Sequence, residues 1–161
     1  MSQQASEIEV RIEITIAAPV ERAFEVFTQR FNEFWPPAYR LGAAERVNVL
    51  VEPRPGGRWY ELTADGADCD WGRVLDWDPP EHVALSWQIS PEFRPEPDLA
   101  KSSRVDAWFT ADGPNRTRVT LVHTDFERHG PDWRKTYEGV AMDTGWPLVL
   151  DNFAKLAAAD G

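Results

Sequence analysis

The stretch that most limits how this chain can fold is its last, GWPLVLDNFAKLAAA at 145–159. Trp146, Val149, Leu150, Phe153, Leu156 and Ala157 recur at steps of three and four residues, which places them on one face of a helix. Pro147 suits a first helical turn, where the missing N–H costs no hydrogen bond. The spacing therefore predicts an amphipathic helix of about three turns. What precedes it reads as six or seven short alternating segments, too few helices for a bundle and enough strands for one curved sheet. The expected fold is α+β: a curved antiparallel sheet of about seven strands wrapped around its own C-terminal helix.

The strands follow from period-two patterning. Ile8, Val10, Ile12, Ile14 and Ile16 alternate with Glu9, Arg11, Glu13 and Thr15, so a first strand over 8–16 has one wet face. Ala18-Pro19 ends it. Val20, Ala23, Phe24 and Phe27 then step at helical spacing, followed by Phe31, Phe34 and Trp35. Two short helices, over 19–28 and about 30–35, are predicted to close one end of the sheet. Further strands are predicted at 46–52, 58–63, 69–77, 83–89, 103–110 and 116–124, separated by Gly, Pro and Asp turns. Residues 90–101 contain three prolines and read as a surface loop, and a short helix is expected over 132–138. Short turns between successive strands imply antiparallel neighbours.

At 161 residues the chain fits a single domain, 1–161. Its net charge of −10, from 27 acidic and 17 basic residues, is the wrong sign for a phosphate-binding groove, so nucleic acid is excluded as a partner. There is no basic amphipathic helix to dock on a membrane and no apolar run of spanning length. One cysteine and an N-terminus lacking an export pattern make the cytoplasm the expected location. Cys69 lies among Asp65, Asp68 and Asp70, which disfavour a thiolate, so a buried structural cysteine is expected. The three histidines fall on separate elements, so no metal is predicted, and no phosphate loop or dinucleotide fingerprint appears, so no cofactor is predicted.

Five blocks carry a family resemblance: IAAPVERAFEVFT at 16–28, EPRPGGRWYE at 52–61, CDWGRVLDWDPPEHVALSWQI at 69–89, TRVTLVHTDFERHG at 117–130 and GWPLVLDNF at 145–153. With the order of elements, they are similar to the START-related helix-grip superfamily. Within it the chain resembles the bacterial SRPBCC group classed with the Hsp90 ATPase activator homologues. The resemblance implies a hydrophobic cavity between the concave face of the sheet and the last helix. Relatives of this kind include lipid carriers, polyketide cyclases and aromatases, hormone receptors and chaperone activators, so the fold alone does not name a function.

Two polar residues stand out on the inward phase. Val119, Leu121 and His123 share one side of the seventh strand, and an imidazole there is either a hydrogen-bonded core histidine or a polar contact for a bound molecule. If Trp59 points inward on the third strand, Glu61 does too; the alternative is an edge strand from which Glu61 reaches water. Glu61 and His123 are thus the candidate catalytic residues, an acid/base pair of the kind a cyclase or dehydratase needs. The leading expectation is a binding module for a small apolar or aromatic ligand. Its expected walls are Phe27, Phe31, Trp35, Trp59, Leu85, Trp87, Phe109, Leu121, His123, Trp146, Leu150 and Phe153.

The fifth strand places Val83, Leu85 and Trp87 inward and Ala84, Ser86 and Gln88 opposite, and on the sixth Val105, Ala107 and Phe109 face inward. Trp108 then faces outward and needs a cover, from a neighbouring strand or from a second subunit in a homodimer. The fourth strand has mixed phase, which a bulge at Gly72 would resolve. The family label also implies a chaperone partner. Eukaryotic activators of that kind carry an additional N-terminal domain, and a chain that begins at its first strand lacks one, so this partner ranks below a small ligand.

Overall fold

The computed structural model describes residues 8–159. β1 (Val10–Ile16) leads into α1 (Val20–Gln29) and the one-turn α2 (Phe31–Phe34). Six strands follow: β2 (Arg46–Val51), β3 (Arg58–Thr63), β4 (Asp68–Asp78), β5 (His82–Trp87), β6 (Ser103–Ala111) and β7 (Thr117–Thr124). The chain then forms α3 (Trp133–Ala141) and α4 (Trp146–Ala159). All seven strands join one antiparallel sheet in the order β1-β7-β6-β5-β4-β3-β2. Consecutive strands from β2 to β7 are sheet neighbours, joined by short turns except for the loop 88–102 between β5 and β6, and β7 pairs on its other side with β1.

The helix expected to organise the chain does so. Trp146, Val149, Leu150, Phe153 and Ala157 are buried along α4, and Leu156 is half-buried beside them. At 14 residues the helix has about four turns, one more than predicted. Phe153 packs edge-on against Phe27 and tilted against Phe34, both at 5.3 Å between ring centres. Phe27 also meets Phe109 at 5.6 Å. Such offset and edge-to-face contacts are the favourable arrangements for aromatic pairs, and here they seal α1, α2 and α4 onto the concave face of the sheet.

Two of the predicted elements end two or more residues from the expected position. α3 continues three residues past Glu138, because Val140 and Ala141 extend the stripe of Trp133 and Tyr137 onto the core. β5 stops at Trp87, and Ile89 makes only an isolated bridge to Pro95.

The mixed phase of β4 has two causes. Trp59 lies opposite Gly72 but Tyr60 lies opposite Asp70, so Trp71 is an extra residue at the predicted bulge. A second irregularity, between Val74 and Asp76, sets Leu75 out of register with β5. The bulges turn both Trp71 and Val74 into the core.

The convex face is less wet than alternation implies. Ala84 and Ser86 of β5, and Gln88 just beyond its end, are buried, Ser86 Oγ accepting from the Arg73 amide and donating to Gln88 Oε1. The Gln88 amide in turn donates to the Glu96 carbonyl in the proline-rich loop. Asp106 of β6 is buried between His82 Nε2 at 2.7 Å and Arg104 Nε at 2.8 Å. Trp108 remains 41% exposed, and the His82 ring of β5 stacks on it at 5.0 Å.

Candidate functional site

A cavity of about 430 Å³ opens at one end of the sheet. Its walls come from the segment after α2, with Trp35, Tyr39 and Leu41, from Trp71 and Trp87 of the sheet, from Ile89 to Phe93, from one face of α3 and from Trp146 and Val149 of α4. Four tryptophans, Trp35, Trp71, Trp87 and Trp146, thus border one space. They touch one another: Trp35 meets Trp71 and Trp146 at 5.3 Å each, and Trp87 meets Trp146 at 5.9 Å. Phe93 and Met142 stand at the rim, 70% and 55% exposed. Across the mouth the Tyr39 hydroxyl donates to the Thr144 carbonyl at 2.8 Å.

Of the expected wall residues, Trp35, Trp87 and Trp146 border this cavity. Phe27, Phe31, Trp59, Leu85, Phe109, Leu121, Leu150 and Phe153 lie behind it in the packed core. His123 does not border it either. The space sits toward the loops and α3 because the aromatic rings beneath α4 already touch, leaving no gap there.

Glu61 takes the inward phase with Trp59, and both are fully buried. β2 forms the sheet edge, so the edge alternative for β3 is removed. The carboxylate accepts three hydrogen bonds: Oε1 from the Leu41 amide and the Trp71 indole N–H, both 2.7 Å, and Oε2 from the Gly42 amide at 2.8 Å. Nearby, the buried Arg46 guanidinium donates to the Asn32 side chain and to the carbonyls of Asn32, Trp35, Pro36 and Tyr39. Burial pulls Arg46 below its usual pKa, and the charge of Glu61 opposes that shift. One cation and one anion therefore hold the irregular segment 35–42 in place, and that segment forms a wall of the cavity. Its backbone polar groups have no helix or sheet to pair with, which is why buried charges with several donor or acceptor sites are needed there.

His123 anchors the opposite wall. The Trp146 indole N–H donates to His123 Nδ1 at 3.0 Å, and His123 Nε2 lies 2.7 Å from Ser103 Oγ. Ser103 Oγ is also 2.8 Å from His129 Nε2. An indole can only donate, so Nδ1 accepts and the neutral imidazole carries its proton on Nε2, which donates to Ser103. That leaves the serine proton free to point at His129 Nε2, 2.8 Å away. Burial, reinforced by the neighbouring His129, pushes the His123 pKa well below its usual 6.5. Burial also lowers His129, to about 4, with Glu96 opposing and Arg128 assisting. Ser103 went unremarked in the sequence, although it shares the phase of Val105, Ala107 and Phe109.

A pH dependence follows. An unfolded histidine binds a proton below about pH 6.5, whereas these two stay neutral in the folded protein to lower pH. The unfolded state thus binds more protons there, and stability is complete above that pH and declines on acidification. For fully buried His123 the slope approaches about 1.4 kcal/mol per pH unit below 6.5; His129, partly solvated, contributes a screened share down to about pH 4. Urea unfolding at pH 7, 6 and 5 checks this, with His129→Gln expected to reduce the decline. A flat stability between pH 6.5 and 5 contradicts it.

Cys69 is half-buried, not buried as expected, and burial together with Glu61 and the neighbouring aspartates raises its thiol pKa. Among the described residues, no group of three or more His, Cys, Asp or Glu converges as a metal site. No helix among them is long and apolar enough to cross a membrane.

An antiparallel sheet curled around a C-terminal helix defines the helix-grip class. Within it, the chain belongs to the family described as Activator of Hsp90 ATPase homolog 1-like protein, whose model matches residues 17–158. Among solved structures it is similar to an anthrahydroquino-gamma-pyrone synthase, Txn09, in a complex with SUM. The two are 37% identical over 94% of this chain and 98% of that one, with a TM-score of 0.67. It is also similar to CalC from Micromonospora echinospora, a self-sacrificing resistance protein, at 29% identity over 95% and 96% of the chains and a TM-score of 0.69. Protein NE0264 from Nitrosomonas europaea shares the fold at 17% identity, over 96% and 97% of the chains, with a TM-score of 0.66. Comparison with curated protein sequences finds no match.

Proposed function

We propose that this protein binds a flat aromatic small molecule in the cavity bordered by Trp35, Trp71, Trp87 and Trp146. The observation that carries the reading is the wall itself. Four indoles packed along the edge of a space of about 430 Å³ give it a rigid apolar border, and the volume lies in the range of small-molecule sites. The likeness to Txn09, named as a synthase of an aromatic pyrone, supports the same ligand class. Neither Glu61 nor His123 borders the cavity, and both spend their polar atoms on the walls. Binding is therefore favoured over acid/base catalysis by that pair.

The test is a titration with planar aromatics of two to four fused rings, read by quenching of tryptophan emission and by thermal shift. A ligand present at a hundredfold excess over its Kd stabilises by about 2.7 kcal/mol, which raises Tm by roughly 5–10 °C. Gly139 supplies the control. It borders the cavity, and a Cβ built there meets nothing within 4 Å. Gly139→Leu should fill the space and abolish quenching while keeping the fold, since leucine is the better helix former by about 0.8 kcal/mol. Absence of quenching and of thermal shift across the whole set rejects the reading.

A further inference from the structure

The four indoles at the cavity do not spend their N–H groups alike. Trp71 donates to Glu61 and Trp146 to His123. Among the described residues, Trp35 and Trp87 make no hydrogen bond through theirs, although only 7% and 6% of these residues remain exposed. Nor are their nitrogens shut in. Trp59 Nε1 and Thr136 Oγ1 are fully enclosed and unpaired, and the Trp35 and Trp87 nitrogens are not of that kind. Each therefore keeps an accessible face, and the open space that both rings border is the cavity. An indole N–H can only donate, and a donor held without a partner in an apolar wall is costly.

Among the buried side chains at the cavity, polar atoms belong to the four indoles and Thr136. With Trp71 and Trp146 committed and Thr136 Oγ1 enclosed, the donors open to the interior are those of Trp35 and Trp87. Their ring centres lie 6.3 Å apart, so one guest meets both. The remaining polar side chains are wetter: Tyr39, Arg40 and Thr144 are exposed and Ser90 is half-buried, and water competes for their hydrogen bonds. The charge of the lining has the same sense. Among the described residues, no carboxylate borders the cavity, and Arg40 is the one charged group that does, in a chain whose net charge is −10. The cavity thus offers donors and asks for an acceptor.

We propose that the indole N–H groups of Trp35 and Trp87 are the specificity-determining contacts of this cavity: they donate to an acceptor oxygen, a carbonyl or phenolic group, on the aromatic guest. This rests on the binding function proposed above and adds the polar feature by which one aromatic is told from another. A site built to hydrogen-bond an oxygen discriminates against the analogue lacking it.

The test is NMR of wild-type protein with isotope-labelled indole nitrogens, alone and with fluorenone or fluorene. These two compounds share one ring skeleton and differ by a carbonyl in place of a methylene. Without ligand, the Trp35 and Trp87 N–H protons should exchange with water faster than those of Trp71 and Trp146. Equal protection of all four overturns the proposal. Fluorenone should bind about tenfold more tightly than fluorene, the ratio that one net hydrogen bond supplies, and should move the N–H signal of Trp35, of Trp87 or of both downfield. Fluorene should bind without that shift. In Trp35→Phe and Trp87→Phe, the preference should disappear from whichever variant lacks the bonded donor. Equal affinity of wild type for both compounds, or bound fluorenone with neither signal moved downfield, overturns these contacts while leaving aromatic binding intact. Binding of neither compound, with no quenching by any other planar aromatic, overturns the binding function and these contacts together.

Discussion

Replacing Glu61 with glutamine is expected to lower stability by about 3 kcal/mol and to loosen the cavity wall at Leu41 and Gly42. The carboxylate accepts from two backbone amides and one indole, and hydrogen bonds to a charged group are the stronger kind. An amide side chain of the same shape presents a donor to at least one of these donors, leaving a buried N–H unsatisfied. It also strips the buried Arg46 of its compensating charge, and removing one member of a buried charge pair costs several kcal/mol. Urea unfolding gives the stability, and hydrogen exchange at the Leu41 and Gly42 amides gives the local effect. A variant within about 0.5 kcal/mol of wild type, a span ordinary for surface substitutions, with both amides still protected, would contradict this account of the wall.

A larger loss is expected from Gly72→Ala. An added Cβ would sit 1.8 Å from the carbonyl oxygen of Ser86, a backbone atom of the adjoining strand that cannot swing aside. β4 and β5 must separate or the bulge at Trp71 must collapse, and either displaces a tryptophan that borders the cavity. Overpacking against backbone belongs to the severe class of substitutions, about 3–5 kcal/mol here, so Tm should fall by roughly 10 °C. The measurement is a thermal melt followed by near-ultraviolet circular dichroism, which reports on the packed indoles. An unchanged melt would mean that the two strands are not so closely apposed.

The sheet was legible in the residues because its signal is local. Val119, Leu121 and His123, or Val105, Ala107 and Phe109, declare a face by simple alternation, and the stripe from Trp146 to Ala157 declares the helix they pack against. The inward setting of Glu61 could be inferred from Trp59 two residues away. The cavity was not legible, because a void is a property of several segments together. Phe27, Phe109 and Phe153 are as apolar as Trp87 and Trp146, yet the first three meet in a solid core while the last two border open space. Residues 38–42 and 89–93 have no periodicity to read. Arg46 looked like the first residue of a strand, and nothing in its neighbours marks the carbonyls it gathers from residues 32–39. Thr136, Gly139 and Val140 also border the cavity, from within a stretch that reads as merely polar.

The direction of the hydrogen bonds behind Trp146 and Trp71 has one more consequence. Each indole is a donor facing a fixed acceptor, His123 Nδ1 in one case and Glu61 Oε1 in the other, so neither ring can turn over without stranding its N–H. Their rotational freedom is surrendered when the chain folds, not when a guest arrives. A molecule settling against them is spared the about 0.5–1.5 kcal/mol per side chain that ordering a loose wall would cost, which leaves its affinity to be set by how well it fits the space.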